Sequence, residues 1–67
     1  MSAFKKQING NHYSKLKIQP TQYIIENKLG YIEGNVIKYV TRHRDKGKKE
    51  DIKKAIHYLE MLLEKYE

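Results

Sequence analysis

Gly34-Asn35-Val36-Ile37-Lys38-Tyr39-Val40-Thr41-Arg42-His43-Arg44-Asp45-Lys46-Gly47 decides how the rest of this chain is read. On a 3.6-residue period, Ile32, Val36, Tyr39 or Val40, and His43 form one stripe, and Asn35, Lys38 and Arg42 form another. The first stripe asks for a core. The second sets an amide, an ammonium and a guanidinium in one row, leading into Arg44, Lys46 and Lys48. Such a row suits an anion that carries several phosphates; the plain alternative is a solvated helix face.

The neighbouring segments read as helices on either side. Pro20 fits a first helical turn, where its missing N–H costs nothing. Tyr23, Ile24, Ile25 and Leu29 then supply an apolar face, and Gly30 reads as the stop. The second helix is expected from about Tyr31 to Asp45, closed by Gly47. Gly34 early in it weakens propensity but leaves room for close approach by a backbone or a ligand. The third helix is signalled by Ile52, Ala55, Ile56, Leu59, Leu62, Leu63 and Tyr66 at spacings of three and four, with Glu50 and Asp51 in its first turn. A short glycine-containing link makes the second and third helices an antiparallel hairpin.

Upstream, Asn9-Gly10-Asn11 is a turn signal, and residues 1–11 are expected to be a flexible tail before a domain spanning 12–67. Ser14 to Ile18 alternates polar or basic with apolar residues, as an extended segment does. The expected fold is therefore all-α: three helices, a long C-terminal helical hairpin and an extended N-terminal segment. The apolar stripe of the third helix is wider than the short first helix covers, so the chain is expected to form a homo-oligomer, a dimer or higher.

Totals narrow the function. With 67 residues and no cysteine, the chain is one small domain without disulfides or a cysteine-ligated zinc staple. A chain this short buries only about 60% of its unfolded surface, so a lone core is marginal. No apolar run approaches a membrane span and no secretory signal is visible, which predicts a cytoplasmic protein with no membrane partner. A net charge of +6 and a pI near 9.6 favour anionic partners: nucleotides, DNA or an acidic protein.

The standard nucleotide signatures are missing. A P-loop needs a glycine at position 42, where Arg42 stands, and a Ser or Thr after Gly47-Lys48, where Lys49 stands. Gly30 and Gly34 do not form a dinucleotide fingerprint. His12, His43 and His57 lack metal spacing, and no metal is expected. Glu33, Asp45, Asp51 and His57 are the groups with acid–base chemistry, although Asp51 already suits a helix N-terminus as a purely structural residue. Tyr39 and Tyr58 border polar stripes and can stack on a base; packing is the alternative reading for both, and for His57 at the hairpin edge. If the polar flanks converge, Asn35, Lys38 and Arg42 face Lys54, His57 and Tyr58 across a basic groove, with the loop containing Lys46 at one end. A helix-turn-helix reading of Tyr23 to Arg44 is weakened by Glu26 at a position that packs a small residue, and by acidic Glu33 near the base-reading end.

His12-Tyr13, Ile18-Gln19-Pro20, the run Glu33 to Arg42, Lys46-Gly47 and Glu50-Asp51-Ile52-Lys53-Lys54-Ala55-Ile56-His57-Tyr58-Leu59 together resemble a family of small phage and prophage proteins, domain of unknown function 3310. Its members include the nucleotide kinase of T7-like phages. The resemblance covers about residues 12–64. It implies nucleotide handling by Asn35, Lys38, Arg42, Lys54 and His57, to which the groove adds Tyr39, Lys46 and Tyr58. If the chain is a nucleoside monophosphate kinase, Arg42 and His57 are the catalytic candidates, with ATP and magnesium as co-substrate and no resident cofactor. A short member equally fits a noncatalytic role, sequestering nucleotides or nucleotide signals, or binding DNA or a host protein in the host cell cytoplasm.

Overall fold

A computed structural model describes residues 16–67, and within them the chain is all-helical. Three α-helices follow one another: α1 (Pro20–Glu26), α2 (Tyr31–Arg42) and α3 (Lys48–Leu63), the last running into a 3-10 turn over Glu64–Tyr66. The expected flexible tail and the first two residues of the expected extended segment, Ser14 and Lys15, lie outside the described residues. The part inside, Leu16 to Ile18, forms bends and no strand.

Pro20 opens α1, as its locked φ and absent donor favour. The end of α1 differs from the expectation. The Leu29 amide donates to the Ile24 carbonyl at 3.0 Å and the Lys28 amide to the Ile25 carbonyl at 3.0 Å, the paired bonds of a Schellman motif. Lys28 therefore occupies the left-handed position, with φ 56°. Gly30 stops nothing; it is extended and precedes α2.

Helix α2 ends at Arg42, three residues before the expected Asp45, and residues 43–47 form turns. The Asp45 and Lys46 amides both donate to the Arg42 carbonyl, and the Lys48 amide reaches back to His43 at 2.8 Å. His43 itself donates from Nδ1 to the Val40 carbonyl at 2.6 Å. Gly47, expected to close α2, has an ordinary φ of −85°. Here too a lysine carries the unusual torsion, Lys48 at φ 50°. Moving away from this turn, α2 and α3 meet through Arg42 and Asp51, then Tyr39 with Lys54 and Tyr58, then Tyr31 with Tyr58. That order is an antiparallel hairpin.

The core is thin. Ala55 is the one hydrophobic side chain buried among the described residues, beside Pro20, Gly34, Asn35 and Asp51. On α2 the two stripes are less separated than the hydropathy reading expects, since Ile32, Val36, Tyr39 and His43 are half-buried and so is most of the polar row. Asn35 is buried and Lys38 and Arg42 are half-buried, whereas Val40 is 46% exposed. Helix α1 joins this hairpin through Ile24, whose Cγ2 lies where a Gly34 side chain would need to be, 3.1 Å from an added Cβ. Gly34 thus admits a side chain from α1, the close approach that its lack of Cβ allows.

Two lysines in the left-handed region each carry a torsional cost of about 1–2 kcal/mol relative to glycine, offset in part by glycine's larger unfolded-state entropy. Lys28→Gly and Lys48→Gly should each stabilise the fold by about 0.5–1 kcal/mol, read as a higher urea midpoint with an unchanged slope. A lower midpoint for both would contradict the turn geometry.

Candidate functional site

One ion pair fixes the geometry of the site. Arg42 Nε donates to Asp51 Oδ2 at 2.9 Å, and the second guanidinium nitrogen donates to Oδ1 at 3.2 Å. This bidentate fork joins the last turn of α2 to the first turn of α3 across the loop. Asp51 is 1% exposed and Arg42 19%. The guanidinium holds the Asp51 carboxyl below its ordinary value of 3.8, against the opposing effect of burial, with help from the Gly47 amide and Lys54. Gly47 explains itself here: a Cβ on it would fall 2.0 to 2.2 Å from the Asp51 carboxylate atoms. The glycine is required by crowding and not by torsion.

Tyr39 is the centre of the charged surface. Lys38 Nζ lies 4.7 Å from its ring centroid, the Arg42 guanidinium carbon 4.9 Å and Lys54 Nζ 5.4 Å. Each contact is a cation–π interaction worth about 0.5–1 kcal/mol where water has access. The Tyr58 ring stacks on Tyr39 at 6.0 Å with 18° between planes, and Tyr31 meets Tyr58 edge-on at 6.3 Å. The hydrogen bond with the Tyr31 hydroxyl, then burial, pushes the Tyr58 phenol above its ordinary value. Asp51 answers the charge of Arg42. Neither Lys38 nor Lys54 has a carboxylate within salt-bridge distance among the described residues, although Asp51 feels the charge of Lys54. Three cations and one carboxylate leave two positive charges beside an aromatic platform.

The residues singled out from the sequence divide between two depressions. Tyr39, Lys54, His57 and Tyr58 line a hollow of about 360 Å³ between α2 and α3, together with Glu50 and Lys53. Asn35 and Lys38 line a different cavity of about 430 Å³ between α1 and α2, walled by Pro20, Ile24 and Leu29. Lys38 belongs to both neighbourhoods, since it lines the second cavity and lies over the Tyr39 ring. Arg42 lines neither and is tied to Asp51. Lys46 is exposed in the loop and lines neither. His57 is exposed, its ring centroid 6.4 Å from that of Tyr58 and its Nδ1 3.8 Å from Glu60. No group of three or more metal-ligating side chains occurs among the described residues.

Sequence reasoning missed the Arg42–Asp51 pair and the α1–α2 cavity. The pair spans nine positions through a loop, beyond the three- and four-residue spacings that periodicity exposes. The close succession of Gly47 and Asp51 was the signal available for it.

Removing one partner of a buried ion pair costs about 3–5 kcal/mol. Because Arg42 keeps some contact with water, Asp51→Asn should cost about 3 kcal/mol, and Gly47→Ala a comparable amount by displacing the carboxylate. The pH dependence has a definite sign. A carboxyl held low in the folded state stabilises it fully above 3.8 and loses that contribution as pH falls through the folded value. The stability difference between the parent and Asp51→Asn, from urea titrations, should therefore be level above about pH 5 and shrink on acidification. A difference independent of pH would contradict the pair.

A family model described as a protein of unknown function, DUF3310, matches residues 8–60. No curated protein and no solved structure matches the chain. No described helix is long and apolar enough to cross a membrane. The family match takes in all of α1 and α2, the Arg42–Asp51 pair and the tyrosine–lysine cluster, and on that span the chain belongs to the DUF3310 family.

Proposed function

We propose that this protein binds the phosphate of a nucleotide between Lys38 and Lys54, against the Tyr39–Tyr58 stack. The carrying observation is the convergence of three cations on the Tyr39 ring with only one of them matched by a buried carboxylate. Two unmatched positive charges suit a phosphate monoester, which carries about −1.5 to −2 at neutral pH. The stacked tyrosines add apolar surface. Arg42 contributes through its face against Tyr39 while its fork holds Asp51.

The reading favoured here is a binding protein. Asp51 is consumed by Arg42, which removes the most buried carboxylate from acid–base work. Nucleoside monophosphate kinase activity, implied by the family resemblance, would rely on cation stabilisation by Lys38, Lys54 and Arg42, with His57 near the transferred group. Incubation with ATP, magnesium and each deoxynucleoside monophosphate separates the readings: diphosphate product supports the kinase, whereas binding without product supports the binder. In calorimetry, Lys38→Ala and Lys54→Ala should each weaken nucleotide binding about tenfold, and the double variant should abolish it with helicity unchanged. Normal binding by the double variant contradicts the site.

The partner surface we propose is a second copy of the chain. Helix α3 carries two apolar seams. Asp51, Ala55, Tyr58 and Leu62 turn toward the protomer, whereas Ile56 (51% exposed), Leu59 (48%) and Leu63 (57%) extend outward in line with Ile52 and Tyr66. Ile52, Ile56, Leu59, Leu63 and Tyr66 alternate spacings of four and three, the seam of a helix pair. An antiparallel twofold pairing sets Ile56 against Leu59 of the other copy, and Lys53 near the other copy's Glu60 on the same flank. Sedimentation should show a dimer at micromolar concentration that Leu59→Glu converts to monomer. Lys53→Glu should weaken it, and Lys53→Glu with Glu60→Lys should restore it. A parent chain that sediments as a monomer contradicts this interface.

A further inference from the structure

The cavity between α1 and α2 has the makings of a second half to the phosphate site. Its walls are apolar, built from Pro20, Ile24 and Leu29, and its volume of about 430 Å³ lies within the usual range of small-molecule pockets. Thr21, Asn35 and Lys38 are polar residues of its lining, and Asn35 is the buried one. The Asn35 amide nitrogen donates to the Tyr31 carbonyl at 2.9 Å, which fixes the orientation of the group and leaves Oδ1 as the other end. Asn35 is 9% exposed, and Oδ1 has no hydrogen-bond donor among the described residues. An amide oxygen without a protein donor at the wall of an open cavity is free to accept an N–H from a ligand. Lys38 lines the same cavity and reaches the Tyr39 ring, placing a positive charge where the cavity meets the phosphate site.

We infer that the α1–α2 cavity receives the heterocyclic base of the nucleotide, with a ring or exocyclic N–H donating to Asn35 Oδ1 while Lys38 holds the phosphate beside Tyr39. This assignment rests on the phosphate reading above and extends it to a ligand class: a planar heterocycle with an N–H donor joined to an anionic group. Gly34 matters to it twice. Its missing side chain seats Ile24 against α2, and its backbone forms part of the cavity lining. Base and phosphate then contact different elements of the chain, α1 with α2 for the base and α2 with α3 for the phosphate.

The test is amide NMR of the full chain, titrated separately with the common nucleosides, with inorganic phosphate and with the matching nucleoside 5′-monophosphates. Nucleosides should move the signals of Ile24, Leu29 and Gly34, phosphate those of Lys54 and His57, and the monophosphate both sets. Monophosphate affinity should exceed that of either fragment by at least about tenfold. Asn35→Leu should lower monophosphate affinity about tenfold and leave phosphate binding unchanged. Since Asn35 also bonds to Tyr31, Leu29→Trp provides a second variant that fills the cavity without touching that bond, and it should abolish the nucleoside response. If nucleosides and monophosphates leave Ile24 to Gly34 unmoved while Lys54 and His57 respond, the base assignment is overturned and the phosphate site stands. If no probe moves any signal, both fail.

Discussion

The Arg42–Asp51 ion pair is the constraint from which the rest of the molecule follows. It is bidentate, almost fully buried on the carboxylate side, and placed where α2 ends and α3 begins. Burying a charge without a partner is prohibitive, so the pair sets how close the two helices come and in what register. That register stacks Tyr39 on Tyr58 and brings Lys54 to the Tyr39 ring. The same pair commits Asp51 to Arg42, so that Lys38 and Lys54 at the Tyr39 ring have no carboxylate within salt-bridge distance among the described residues.

Charge and packing are coupled on α2. A helix with Ile32, Val36 and Val40 on one stripe would ordinarily bury that stripe and expose Asn35, Lys38 and Arg42. In this protein both stripes are partly covered: Asn35 is buried, Lys38 and Arg42 are half-buried as Ile32 and Val36 are, and the Tyr39 ring supplies the surface on which the cations rest. Long cationic side chains can do this because their stems are apolar while their heads stay near water. Ala55 is the one buried hydrophobic side chain among the described residues, so the core beneath this arrangement is thin.

Much of the architecture was legible because it is local. Pro20 marked the start of α1, the three- and four-residue repeat of Ile52 to Leu63 marked α3, and the short link between α2 and α3 implied a hairpin. The turns were legible only in part. Lys28 and Lys48 take left-handed torsions that glycine would favour, so the nearby Gly30 and Gly47 misdirected the reading of both helix ends. Of the candidate site, Tyr39, Lys54, His57 and Tyr58 gather in one hollow, but Asn35, Lys38 and Arg42, the α2 side of the expected groove, do not line it. Asn35 lines the other cavity because α1 folds onto α2 at Gly34, a long-range contact that no periodicity within α2 encodes.

The central claim is that the cations beside Tyr39 are organised to hold a phosphate carried on a nucleotide. Thermal unfolding in millimolar nucleoside mono-, di- and triphosphates, with chloride and inorganic phosphate controls at matched ionic strength, tests it most directly. A ligand at one hundred times its Kd stabilises the native state by about 2.7 kcal/mol, a readily measured rise in midpoint for a chain this small. The account predicts that nucleotides raise the midpoint well beyond either control. Midpoints that follow ionic strength alone, with no difference between nucleotides and chloride, would contradict it.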